Sequence, residues 1–182
     1  MTRRFGLLAG SALLAAVVLA WWMGRPGAET VAVDLVAALP EADRGTTPDA
    51  FSAVDATLDG VTRRAILVTQ PSRLTWTVDV PDAAWLRLAI ALREDAWHIE
   101  GDGVLFLVAV SDGAEYVELF SLMVNPFRNE MDRAWHELAL DLGDYAGRTV
   151  DLIFNTRSSA PEAPADPRGD FALWGAPRIV AQ

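Results

Sequence analysis

From Leu74 onward the apolar residues recur at every second position, a period that only an extended backbone converts into one buried and one exposed face. Leu74, Trp76, Val78 and Val80 alternate with Thr75, Thr77 and Asp79, and Leu86, Leu88, Ile90 and Leu92 repeat the pattern within residues 85–93. Leu138, Leu140 and Leu142 continue it, followed by Val150, Leu152 and Phe154. The runs 104–110 and 116–124 are apolar on nearly both faces, which predicts central strands, and Asp112-Gly113 between them is a hairpin signal. With 31–36, 65–69 and 171–180 added, there are about nine strands at the spacing of a sandwich and no soluble segment of helical period. The expected fold class is all-β, a two-sheet antiparallel sandwich occupying residues 31–182 as one domain.

A different pattern precedes it. Residues 5–24 carry no charge, and twenty residues in a helix reach about 30 Å, the thickness of a bilayer's hydrocarbon core. Arg3 and Arg4 ahead of this run predict a cytoplasmic N-terminus at 1–4, with Trp21 and Trp22 at the far membrane interface. Gly6 and Gly10, with Ala12, Ala16 and Ala20, place small residues on one helix face, where another helix can approach closely. A cleaved signal peptide, with Val18-x-Ala20 as its cleavage pattern, is the competing reading. The length of the apolar run favours an uncleaved anchor at 5–24, with 25–30 as linker. The expected location is a bacterial inner (cytoplasmic) membrane with the sandwich on its periplasmic, extracytoplasmic side.

Charge narrows the partners. All 15 basic residues are Arg, and from Glu29 onward there are 12 of them against 25 acids, a formal charge of −13. Such a body repels phosphate backbones, so nucleic acid is excluded as a ligand. The absence of cysteine removes disulfides, thiolate metal sites and thiol nucleophiles.

Catalytic motifs are equally scarce. His98 and His136 each follow a tryptophan, and neither has the spacing of a zinc protease. No nucleophile elbow, phosphate loop or dinucleotide fingerprint occurs. The carboxylate pairs Glu94/Asp95 and Glu100/Asp102 keep a glycoside hydrolase formally open, since that chemistry needs two carboxyls at a set separation. The connections 40–50, 93–103, 125–134 and 155–170 are long and polar, the last stiffened by Pro161, Pro164 and Pro167. Loops of this kind on a compact sandwich carry function. Their binding candidates are Trp97, as a stacking platform or a lid folded back on the sheet, with His98, Arg128, Asn155 and Arg157. Trp76, Trp85, Trp135 and Trp174 lie in strand patterns and are expected in the core or on a sheet face.

The C-terminal third supplies a resemblance. Trp135, Asp141-Leu142, Tyr145-Ala146-Gly147, Val150, Leu152, Phe154 and Thr156, then Phe171-Ala172-Leu173-Trp174-Gly175 and Pro177, resemble the galactose-binding-like jelly rolls. These are similar to carbohydrate-binding modules and to extracytoplasmic parts of bacterial membrane proteins. The resemblance covers roughly residues 75–180 and implies a jelly roll whose turn is made by Tyr145-Ala146-Gly147 and whose last strand is packed by Trp174-Gly175. Members of such families often hold a structural calcium ion, but the sequence has no run of calcium-ligand spacing, so no cofactor is expected and Asp102, Asp112 and Asp170 are only generic candidates for one. Three functions follow in order. The first is a non-catalytic assembly module, an accessory subunit of a membrane protein complex such as a photosynthetic or respiratory one. The second is a tethered carbohydrate-binding module with a glycan as ligand. The third is a hydrolase.

Overall fold

The computed structural model describes residues 29–45, 47–158, 166 and 168–181. The anchor expected at 5–24, with Arg3, Arg4, Gly6, Gly10, Ala12, Ala16, Ala20, Trp21 and Trp22, lies outside the described residues, as do Pro161, Pro164 and Pro167. Among the described residues no helix is long and apolar enough to cross a membrane.

Among the described residues ten strands form the domain: β1 (Thr30–Asp34), β2 (Phe51–Leu58), β3 (Val61–Val68), β4 (Ser72–Asp79), β5 (Ala84–Leu92), β6 (Val104–Ser111), β7 (Tyr116–Val124), β8 (His136–Asp141), β9 (Thr149–Ser158) and β10 (Ala172–Ala181). One sheet runs β2-β3-β10-β5-β8, with β1 also paired to β10, and the other runs β4-β9-β6-β7. All pairings are antiparallel. The orders 3-10-5-8 and 4-9-6-7 are the two sheets of an eight-strand jelly roll, in which successive strands cross between sheets except at the β6–β7 hairpin. To that frame the chain adds β2 outside β3, and β1 beside the second half of β10.

The alternation read in the sequence decides what lies between the sheets. Leu74, Trp76 and Val78 from β4 meet Leu86, Leu88 and Ile90 from β5 in one buried cluster, while their polar neighbours face outward. At its centre Trp174 stacks on Phe154 at 4.5 Å and meets Phe106 edge-on at 4.9 Å, and Trp76 meets Phe154 edge-on at 5.1 Å. Each such pair adds about 0.5–1.5 kcal/mol beyond its buried area. The Tyr145-Ala146-Gly147 turn forms as the resemblance implies, with Gly147 at φ +71° and its N–H donating to Val80.

Three expectations are corrected. The ten strands include β2 at residues 51–58, whose apolar residues change face: Phe51 joins the main core, and Val54, Ala56 and Leu58 join the cluster on the outer side of the sheet. Its turn, Asp59-Gly60 with φ of 48° and 75°, was the overlooked signal. β7 is an edge strand: Leu119 and Phe120 reach the core while a bulge near Val108 and Ala109 turns much of the strand to solvent. Residues 155–157 belong to β9 instead of a loop.

Candidate ligand-binding pole

The register places three of the long connections at one end of the sandwich. Ala172 pairs with Leu92 and Val68, Val104 with Val124 and Ser158, and Ile90 with His136. The connections 93–103, 125–135 and 159–171 therefore leave and return at the same pole. The chain enters at the opposite end, where Thr30 pairs with Ala181.

Three contacts tie these connections together. Arg93 N–H donates to Phe171 O at 2.9 Å, and Asn125 Nδ2 donates to Gly101 O at 3.1 Å. Gly101 packs so closely that a Cβ there would lie 2.4 Å from Arg168 O.

Within 125–134 the polar side chains are used to fold the loop. Asn125 is buried and accepts from Arg128 N–H at 3.1 Å, while its own N–H donates to the buried Asp132 carboxylate at 2.7 Å. Asn129 Nδ2 donates to Asp132 Oδ1 at 3.0 Å, and Arg133 Nε donates to Pro126 O at 3.0 Å. With those groups satisfied, the loop presents Phe127, 42% exposed, Met131, 81% exposed, and the exposed side chain of Arg128. Exposed Ile99 and Arg168 lie at the same pole and line a shallow cleft with Phe127 and Asn125.

The expected binding residues separate accordingly. Arg128 is at the pole and exposed. Arg157 is exposed at the same end of β9. Trp97 folds back on the sheet: it packs against the apolar cluster on the outer face of the six-stranded sheet, and its Nε1 donates to Leu92 O at 3.0 Å. His98 beside it is exposed. Asn155 is only 6% exposed within β9, so it offers no free amide to a ligand. Phe127, Met131 and Ile99 were missed as individual residues; apolar side chains inside otherwise polar loops were the signal.

The carboxylates sort by environment. Asp95 receives two 2.6 Å hydrogen bonds from Arg93, whose guanidinium also sits 4.3 Å over the Phe171 ring. The Arg93 hydrogen bond holds the Asp95 carboxyl below its ordinary range, the opposite of what a general acid requires. Asp112 caps its own hairpin turn, accepting from Ala114 N–H at 3.0 Å and Glu115 N–H at 2.9 Å, and pairs with Arg148, so its oxygens are not free for calcium.

Asp102 and Asp170 differ. Both carboxylate oxygens of Asp170, Asp102 Oδ1 and Thr156 Oγ1 are buried without a hydrogen-bond partner among the described residues. Burial, then the charges of Asp102 and Asp166, push Asp170 up to about 7. An all-oxygen set of unpaired, buried acceptors fits a hard cation such as calcium in its donor chemistry. Among the described residues no three acidic or histidine side chains cluster, so backbone carbonyls and water would complete the coordination. The cleft beside Asp170 has essentially no free volume, which leaves no place for a sugar next to its perturbed carboxyl.

Comparison with known proteins places the fold. No family model matches the chain. An uncharacterized protein of Archaeoglobus fulgidus is 43% identical over 101 residues, 55% of this chain, and the chain spans only 25% of that relative's length. Among solved structures, the CBM51 module of Clostridium perfringens GH95 in complex with methyl-galactose aligns with a TM-score of 0.50 at 11% identity, covering 85% of this chain and 94% of the module. The CBM22-2 xylan-binding domain of Paenibacillus barcinonensis Xyn10C aligns at 0.49 and 9% identity, covering 82% and 97%. The protein is thus an all-β, two-sheet antiparallel sandwich with the fold of a carbohydrate-binding module.

Proposed function

We propose that the chain is a non-catalytic carbohydrate-binding module, held to a membrane by 5–24 as an uncleaved anchor and presenting its loop pole to glycans on the extracytoplasmic side. The observation that supports this best is polarity along the strand axis. The chain enters where Thr30 pairs with Ala181, and the ten-residue β10 separates that point from the pole by about 30 Å. A tether at the entry end therefore points Phe127, Arg128, Met131 and Ile99 away from the bilayer. Phe127 offers a flat apolar face to the C–H side of a pyranose, and Arg128 offers N–H donors to its hydroxyls. The likeness to a module solved with methyl-galactose makes galactosides the first ligands to try. This reading is preferred to an assembly subunit of a membrane complex, which rests on the small-residue stripe of 5–24, the long proline-stiffened loops and the lack of a catalytic motif. A calcium ion held by Asp102 and Asp170 would be structural, tying the 93–103 connection to the start of β10.

The test is a glycan array probed with the full chain in nanodiscs, followed by titration calorimetry of any hit. Saccharide binding that Phe127→Ala and Arg128→Ala each weaken tenfold or more, at unchanged melting temperature, is the expected result. An array with no hit, or binding indifferent to both substitutions, overturns the proposal.

A further inference from the structure

Three of the 15 arginines converge on one patch of the outer face of the six-stranded sheet, in a chain of net charge −10. Arg178 on β10 and Arg87 on β5 are directly opposite in register. Both point outward, because the next pair along, Ile179 and Leu86, is buried in the core. Like charges directly opposite on adjacent strands destabilise a sheet. Arg63 reaches the same patch from β3, passing over Gly175 to pair with Glu137 on β8. The three guanidiniums, with Glu137 and the exposed Ala139, line a cavity of about 180 Å³. At about 30 Å³ per water it has room for roughly six waters, the bulk of one sugar ring.

Donors outnumber acceptors here, since each guanidinium carries five N–H groups. Arg63 is paired with Glu137, Arg87 with Glu29 at 2.6 Å, and Arg178 donates to Ala176 O at 3.2 Å. The buried Nε atoms of Arg63 and Arg87 have no acceptor among the described residues. Arg178 has no carboxylate partner among them either: Asp34, opposite it on β1, turns its Oδ1 to the N–H groups of Val36 and Ala37. Pairing therefore leaves one guanidinium uncompensated. The other two are also held by aromatic rings, Arg63 at 5.5 Å from Trp135 and Arg87 at 5.4 Å from Trp85, so the patch is formed in advance of any ligand.

We infer that this cavity binds a sugar acid of one ring, whose single carboxylate seats between Arg178 and Arg87. A planar carboxylate matches the guanidinium fork and relieves the repulsion of the opposed pair. Glu137 in the wall accepts from ring hydroxyls and repels a dianion such as a phosphate ester. The site is separate from the loop pole, since Phe127 and Arg128 take no part in it.

The experiment titrates the full chain in nanodiscs with galacturonate, galactose and galactose 6-phosphate by calorimetry at low salt. Galacturonate is expected to bind, at least tenfold more tightly than the phosphate, and Arg178→Gln to weaken it at least tenfold. Ala139→Glu sets a carboxylate beside Arg87 from an exposed position. It is expected to abolish galacturonate binding while raising the melting temperature, which keeps the test decisive if the Arg178 variant misfolds. It should leave neutral galactoside binding at the pole as it was, so this inference and the glycan reading fail separately. Trigalacturonate distinguishes the source of the carboxylate: binding of both saccharides assigns it to a glycan chain end and binding of the monosaccharide alone to a free acid, and either supports the site. Absence of galacturonate binding, equal or tighter binding of the phosphate, or binding unmoved by Arg178→Gln and Ala139→Glu overturns the inference.

Discussion

Trp135 lies so close over Gly175 that a Cβ built on the glycine would sit 2.6 Å from the ring's Cζ3 atom. The indole is pinned there from two sides: its Nε1 donates to Val61 O at 3.1 Å, and the Arg63 guanidinium, itself paired with Glu137, lies 5.5 Å from the ring. Trp135 thus straps the outer face of the six-stranded sheet from the β8 side to β3, and only glycine at 175 leaves room. Gly175→Ala is expected to destabilise by about 1–3 kcal/mol, the usual cost of overpacking. Trp135→Ala in the same chain should recover part of that loss. Urea unfolding of both single variants and the double variant checks it, and strictly additive values would mean the two residues do not share the contact.

At the pole, folding and binding should separate by residue. Asn125 and Asp132 are buried and hydrogen-bonded, so Asn125→Ala leaves Gly101 O and Arg128 N–H without their partner and should cost about 1–3 kcal/mol. Phe127→Ala and Met131→Ala remove exposed side chains and should stay within about 0.5 kcal/mol. Thermal denaturation of the three variants measures the contrast; a Phe127 variant as unstable as the Asn125 variant would make Phe127 a packing residue.

Much of the fold was legible because it rests on local period. β4 and β8 alternate cleanly, since each has one face on the core, and β5 and β9 alternate over part of their length. The continuous run of β6 correctly marked a central strand, because Leu107 and Ala109 pack with Ile153 on its outer side. β7 carries a similar run at an edge, where its apolar residues have no second neighbour, and period alone cannot tell the two apart. The site was less legible for a related reason. Polar loop residues such as Asn125, Asn129 and Asp132 look available in sequence but are consumed by their own loop, and Trp97 folds back onto the outer face of the sheet. What the loop leaves exposed depends on which groups its hydrogen bonds have already taken.

Asp170 gives the chain a pH response of definite sign. Its carboxyl titrates near 7 in the folded protein because of burial and the neighbouring Asp102 charge, against about 4 in an unfolded chain. Between those values the folded state keeps a proton that the unfolded chain has released, so its contribution is full below pH 4, is lost as pH rises toward 7, and is flat above. Asp95 and Asp166, both held low by arginine hydrogen bonds, act in the opposite sense and only below about pH 4, so the windows do not overlap. With EDTA present, stability should therefore decline from pH 5 to pH 8, and Asp170→Asn should flatten that decline. Calcium, by satisfying the unpaired oxygens, should raise the melting temperature most at pH 8. A melting temperature indifferent to calcium at pH 8 would remove the cation from the account.

Gly60 and Gly103 separate backbone strain from steric contact, because both have φ in the left-handed region, +75° and +83°, but different surroundings. A Cβ on Gly60 meets nothing within 4 Å, whereas one on Gly103 would lie 2.6 Å from Val124 O and 2.8 Å from Asn125 Cβ. Gly60→Ala should cost only the conformational penalty of a side chain in that region, about 1 kcal/mol. Gly103→Ala adds a collision with backbone that cannot swing aside, so its cost should exceed that of Gly60→Ala by 1 kcal/mol or more. The collision also falls on Asn125, which organises the loop carrying Phe127 and Arg128. Saccharide affinity should therefore drop in the Gly103 variant and stay unchanged in the Gly60 variant. Calorimetry on both variants at a temperature where each remains folded would show it, and equal affinities would uncouple the glycine from the pole.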